Sequence, residues 1–349
     1  MSLASYLRAA PKAELHLHLE GAIAPATALE LARRNGVALP ATDEAGLRAW
    51  FAYRDFDHFL AVIRAVAGCL RTAEDYERVT HELGRDLARQ GARYAEVALS
   101  PSLHERRGVP FDTYFGGMKR GRARVRADFG VELAWIFSIV RRWDDPTATR
   151  AQADYTTAAA LAGRADGVVA LGLAAAEADA PPEPFAPWFD RARAGGLHSA
   201  PHAGETAGPA SIWGAVRALG AERIAHGVRA IEDPALLAHL AARGIALDVA
   251  PTSNIRLGVY PSYAAHPLRH LLDAGVALTI NTDDPPLFGT TLNDEVALLA
   301  GPFGLDVAAI DAILLNGVRK SFLPDKRRSA LTAAFAAELA ALKAEHLPA

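Results

Sequence analysis

The sequence predicts an α/β fold, a TIM-like (β/α)8 barrel with a helical insertion after its first strand. Three observations carry that prediction. Short β-branched or apolar runs alternate with longer Ala/Leu/Arg segments, as parallel strands feeding helices do. Eight such runs can be counted, the number that closes a barrel. The residues with metal-binding and acid–base chemistry fall at or just past the carboxyl ends of four of them, where such a barrel collects its active groups.

The first run, residues 13–19, holds His16 and His18 in AELHLHLEG. A strand alternates its faces, so positions i and i+2 point the same way and can grip one metal ion. The connection that follows, residues 21–92, is unusually long. Its aromatic stretch WFAYRDFDHFL (50–60) fits either a lid of helices folded over the barrel mouth or a helical pair packed on the outer ring. A helix over 74–90 leads to the second run, 93–100, and the third, 132–140, ends just before Arg141 and Arg142. The fourth run is 168–174, and the Pro-rich stretch after it (177–187) reads as a loop, because the alternation continues beyond it.

The fifth run, 198–202, ends on His202 in HAGE, with Glu205 just past the strand, and the sixth, 223–226, ends on His226 in RIAHGV. Helices over 234–243 and 266–274 stop near Gly244 and Gly275 and flank the seventh run, 246–251. The eighth, 277–282, leads into Asp283 and Asp284 in NTDDP, and 331–342 reads as a terminal helix. The whole chain, 1–349, is expected to be one hydrolase barrel domain.

Each chemical residue also has a plainer reading. An isolated His-x-His is weak evidence of a metal, His226 suits a packed histidine, and Asp283 with Asp284 suits a helix cap before Pro285. Together they supply three imidazoles and a carboxylate for Zn²⁺, and leave a spare Glu, His and Asp for proton transfer and substrate orientation. His58, His81, His104, His198, His239, His266, His270 and His346 are expected to be ordinary solvated or packed residues for the most part.

Composition narrows the function further. The formal charge of −3, from 37 basic and 40 acidic residues, gives no pull toward nucleic acid or an acidic membrane, so a small-molecule substrate is expected. With one cysteine, Cys69, a cysteine-based zinc site and an intrachain disulfide are both excluded. No signal-like or spanning apolar segment is evident, which makes a cytoplasmic location the expectation.

PKAELHLHLEGAI, LRTAEDYERV, HAGE, RIAHGVR, PTSN and NTDDPPLFGT, in that order from about residue 11 to 294, resemble the adenosine and adenine deaminase branch of the amidohydrolase superfamily. The resemblance implies one zinc per chain and hydrolysis of the 6-amino group of a purine, giving the 6-oxo product and ammonia. Carried over by residue, it makes His16, His18, His202 and Asp283 the zinc ligands. Glu205 becomes the acid at purine N1, Asp283 and His226 accept or steer the proton of the attacking water, and Asp284 bonds the N7 side. His18, Glu20, Ala175 and Asp284 are the substrate contacts it implies.

The substrate side departs from the family pattern. Glu20 stands where adenosine deaminases commonly carry Asp, Ala175 stands where the family has a purine-contacting glycine, and Ala98 replaces a second-strand arginine. RIAHG lacks the aspartate of RIDHG in adenine deaminases, and NTDDPPLFGTTL looks more nucleoside-like. An adenine nucleoside, adenosine itself or a 5′-modified form, is therefore expected, with adenine as an alternative. A further alternative is 6-amino-6-deoxyfutalosine, an intermediate of menaquinone synthesis that carries a benzoate. Arg141 and Arg142 would then pair with the benzoate; as surface residues they would instead pair with Asp144 or Asp145. A two-metal hydrolase acting on amides, lactones or phosphoesters would need a lysine on the fourth strand, and 168–174 has none.

Overall fold

The computed structural model describes residues 2–141 and 146–347. Its strands are β1 (Lys12–His18), β2 (Ala92–Leu99), β3 (Glu132–Val140), β4 (Val168–Ala174), β5 (His198–Ser199), β6 (His202–Ala203), β7 (Arg223–His226), β8 (Ala246–Val249) and β9 (Leu278–Ile280). Every pairing is parallel, in the order β1 to β5 and then β6 to β9. The run at 198–202 is thus two short strands rather than one. Pro201 separates them because it has no N–H to donate to a ladder. The barrel position is nonetheless continuous: Ala200 N donates to Leu171 O at 3.0 Å and Pro201 O accepts from Ala225 N at 3.1 Å. On the far side β1 meets the end of the last strand through a bridge between Leu17 and Asp283. There His18 N donates to Asp283 O at 3.0 Å and Asp283 N to His16 O at 3.1 Å. These bonds close the barrel and set the two histidines of β1 beside the aspartate.

The long first connection is helical: Pro25–Asn35, Glu44–Phe51, Phe56–Gly68 and Ala73–Arg89. Local chemistry divides it. The side chains of Asp43, Asp55 and Thr72 each accept a backbone N–H at a helix start, so the aromatic stretch becomes two helices broken before Asp55. Phe59 stacks on Phe288 with ring centroids 5.5 Å apart, which ties the helix Phe56–Gly68 to the segment following Asp283 and Asp284.

Inside the barrel, Arg223 is 1% exposed and bonds Glu96 Oε2 at 2.6 Å and Asp248 Oδ2 at 2.5 Å. Its guanidinium also lies 4.3 Å from the Phe322 ring centre. Buried charge is tolerated when it is paired in this way, and removing one partner would strand the others. Asp248 connects this cluster to the strand ends, since its backbone carbonyl accepts from His16. Among the described residues no helix is long and apolar enough to cross a membrane.

Candidate active site

The strand ends converge on one cavity of about 750 Å³, a volume that includes its opening to solvent. His18, Glu20, Ala175, His202, Glu205, His226, Asp283 and Asp284 line it. His16 lies at its base with Nε2 3.1 Å from His202 Nε2 and 3.3 Å from Asp283 Oδ1. His18 Nε2 is 3.2 Å from both His202 Nε2 and Asp283 Oδ1. These spacings are informative about a metal. His16 Nδ1 lies 3.0 Å from Asp248 O and must donate to it, which leaves Nε2 as the nitrogen that can meet a metal ion; burial opposes charge on this ring, but the Asp283 carboxylate raises its pKa. Bare imidazole nitrogens facing one another repel unless a cation lies between them. Three imidazoles and one carboxylate suit Zn²⁺, with a carbonyl holding one ligand's other nitrogen.

Donor atoms of His16, His202, His226 and Asp283 also fall within 4.8 Å of one another, a grouping that takes His226 in place of His18. His18 Nε2 makes the shorter approaches, at 3.2 Å to Asp283 Oδ1 and to His202 Nε2, whereas His226 Nε2 is 3.8 Å from Asp283 Oδ2.

Backbone geometry aims these groups. Among the described residues His226, Asp283 and Ala175 adopt φ of +63°, +64° and +73°, a left-handed conformation that costs about 1–3 kcal/mol each in a residue with a Cβ. Ala175 explains the departure from the glycine pattern: the position demands a conformation glycine takes freely, and alanine occupies it under strain. Gly21 is required by close approach, since a Cβ there would lie 1.5 Å from Asp284 Oδ1. Asp284 precedes the helix Pro285–Phe288 without capping it, and its Oδ1 is buried and unpartnered.

The acids differ in charge. Burial, then the charges of Asp283 and Glu177, push the Glu205 carboxyl well above its usual range, and its Oε1 is buried without a hydrogen-bond partner. Burial and Asp283 likewise raise Asp284. Asp283 goes the other way: burial opposes its charge, but His16 and His18 hold it well below the ordinary range, and Ser253 donates to it at 2.7 Å. Charge is thus favoured on Asp283 and disfavoured on Glu205 and Asp284 beside it. Burial of His226, with His16 beside it, pushes that imidazole down to about 3.

Several supporting residues were not evident from sequence. Glu177, 4% exposed, accepts from Gly204 N and Glu205 N at 2.8 Å, from Thr206 N at 3.0 Å and from Ser211 Oγ at 2.5 Å. One carboxylate thus fixes the turn that carries Glu205. Glu177→Gln replaces an acceptor with a donor facing those N–H groups, and kcat should fall by about 10², the usual cost of a small misplacement. Steady-state kinetics with zinc content unchanged would check this, and an unaltered kcat would remove Glu177 from the argument. His104, fully buried, lies 3.3 Å from Glu20 Oε1 and 2.7 Å from the Tyr76 hydroxyl, while Ser100 N donates to the same Glu20 oxygen at 2.8 Å. Burial opposes the Glu20 charge, but these bonds keep it ionised.

Arg141 differs from both expectations for it. It is 2% exposed, so it is no surface residue, and it is absent from the cavity wall. Its guanidinium donates to Ala180 O at 3.0 Å and to His202 O, bracing the loop beneath His202. Arg142, Asp144 and Asp145 lie outside the described residues. Ala98 pairs with His18 in the β1–β2 ladder and packs with Ile136, Ala170, Ala200 and Phe322.

A family model described as adenosine deaminase matches residues 11–337. An aminodeoxyfutalosine deaminase of Streptomyces coelicolor is 42% identical over 94% of this chain and 84% of its own length. An adenine deaminase of Albidiferax ferrireducens is 37% identical over 93% and 92%. A zinc-bound amidohydrolase structure from Burkholderia ambifaria superposes with a TM-score of 0.90 at 31% identity, over 99% of this chain and 95% of that one.

Proposed function

Because the chain belongs to the adenosine deaminase family, and is thus an enzyme of hydrolytic deamination, we propose that its substrate is an adenine nucleoside extended at 5′ by an aromatic carboxylate. 6-Amino-6-deoxyfutalosine, named for the Streptomyces relative, has that chemistry. The observation that carries the reading is the outer cavity wall. Phe56, Phe59, Leu60, Ile63, Leu103 and Leu257 line it, and the only Lys or Arg among its described residues is the exposed Arg64. A bare adenine leaves this wall and its cation unused, while an aryl carboxylate fills the one and pairs with the other. The helix Phe56–Gly68, which carries five of these side chains, acts in this reading as the lid over the mouth.

His16, His18, His202 and Asp283 hold a single zinc ion in this proposal, and β4 offers no lysine to bridge a second. Bound there, zinc acts as a Lewis acid and lowers the pKa of a water molecule to about 7. The ionised Asp283 takes the proton of the attacking water. Glu205, protonated in its buried position, gives a proton to purine N1 as C6 becomes tetrahedral, which draws the ring electrons away from the reacting carbon. Asp284, also protonated, donates to N7, an atom that can only accept. Glu20, held ionised by Ser100 and His104, faces the sugar. The proton taken up by Asp283 passes to the amino nitrogen, the C6–N bond breaks to release ammonia, and the O–H proton returns to the Glu205 carboxylate as the 6-oxo group forms.

Steady-state deamination of 6-amino-6-deoxyfutalosine, adenosine and adenine, followed by the ultraviolet change as amino becomes oxo, tests the reading. The extended nucleoside should exceed about 10⁴ M⁻¹s⁻¹ in kcat/KM. Arg64→Ala should raise its KM about tenfold, the loss of one partly solvated charge-assisted bond, and leave adenosine unchanged. If adenine leads the series, the extended-substrate reading fails.

A further inference from the structure

A chain of buried hydrogen bonds behind His226 fixes which of its nitrogens carries the proton. It begins at the backbone N–H of Leu268, which can only donate, 3.2 Å from His266 Nδ1. His266 is 4% exposed, and burial holds its pKa down to about 4, so the ring is neutral and carries its one proton on Nε2. That nitrogen lies 3.1 Å from Asn254 Oδ1. The fully buried Asn254 amide therefore turns its NH₂ end toward His226 Nδ1, 3.2 Å away. The reverse orientation of the amide would require His266 to accept at both nitrogens, which a neutral imidazole cannot do. His226 Nδ1 accepts, and its proton sits on Nε2.

That Nε2–H faces the reaction space. It is 3.5 Å from Glu205 Oε1 and 3.8 Å from Asp283 Oδ2, too far to bond either well, and His226 lines the cavity together with both of them.

We infer that Asn254 and His266 are positioning residues that hold His226 as a hydrogen-bond donor to the oxygen attacking C6, so that His226 neither takes up the proton of the water nor ligates the metal. The inference rests on the hydrolytic reading of the site. As the water oxygen bonds C6, its proton passes to the Asp283 carboxylate, the C6–N1 π pair moves to N1, and N1 takes the proton of Glu205. His226 gains and loses nothing; its N–H stabilises the charge gathering on oxygen. The same proton assignment decides between His18 and His226 as the third imidazole ligand, because a nitrogen carrying hydrogen has no lone pair to offer.

Histidine-selective ¹⁵N NMR of the zinc-loaded chain reads the assignment directly and does not depend on which substrate is used. His226 should show a protonated Nε2 and a bare Nδ1. A carboxylate at 254 only accepts, so Asn254→Asp should move the proton to Nδ1 and lower kcat by about 10², with KM within a few-fold and zinc retained. His266→Leu should also lose kcat, and His266→Gln, whose amide can donate to Asn254 Oδ1, should recover most of it. A protonated Nδ1 in the parent enzyme, or a parental kcat in Asn254→Asp, would overturn the inference. If the variants do not fold, the parent spectrum still decides. Inactivity of the parent toward all purines alongside the expected spectrum would count against the substrate reading alone.

Discussion

Glu205→Gln should lower kcat by about 10³ or more while the protein keeps its zinc and its KM changes only a few-fold. General-acid catalysis contributes about 10²–10⁴ when the donor is positioned and its pKa is matched to the task. The Gln amide has the size of the carboxyl and can still donate a hydrogen bond to N1, so binding survives, but it cannot release a proton and transfer does not. The buried, unpartnered Oε1 of Glu205 motivates the experiment, since a polar atom in that condition costs stability unless a substrate satisfies it. The folded-state pKa of Glu205 is raised, principally by burial. In the window above the unfolded value the native state therefore binds a proton that the unfolded chain does not, and stability falls as pH rises through that window. Gln removes this penalty, so the variant should melt no lower than its parent at pH 7. Near-normal kcat in a zinc-loaded Glu205→Gln protein would defeat the acid assignment.

What sequence showed and what it hid follow from how local the signals are. His16 and His18 were legible because strand alternation fixes their common face within three residues, and His202, His226 and Asp283 because each ends a short apolar run. The barrel was legible through the same alternation, although the break at Pro201 fell inside what reads as one strand. Glu177 was hidden because its segment reads as loop, and its importance arises only when that loop folds back on residues 204–206, far along the chain. Arg141 was misplaced because charge at a strand end suggests a ligand or solvent. The backbone carbonyls of Ala180 and His202 that claim it have no signature in sequence. Asn254 and His266 lie 12 residues apart, and only the tertiary path brings them behind His226.

His16→Ala should abolish stoichiometric zinc binding together with turnover. Loss of a partner that merely orients a ligand costs about 10–100-fold in metal affinity, and loss of a ligand should exceed that. His16 is held on both sides: it is 3% exposed, its Nδ1 is committed to Asp248 O, and its Nε2 is within 3.3 Å of both His202 and Asp283. Alanine leaves a buried gap next to the Asp283 carboxylate and removes the imidazole that does most to keep it ionised. Zinc held by the native arrangement and not by the unfolded chain would add stability that grows with the logarithm of its concentration over its dissociation constant. The parent should accordingly melt higher with zinc than after chelation, while His16→Ala should melt at one temperature in both states. His226→Ala provides the contrast, because a donor to the attacking oxygen can be lost with zinc still bound. Equal metal loss in the two variants would make His226 a ligand and dissolve the division of labour between the histidines.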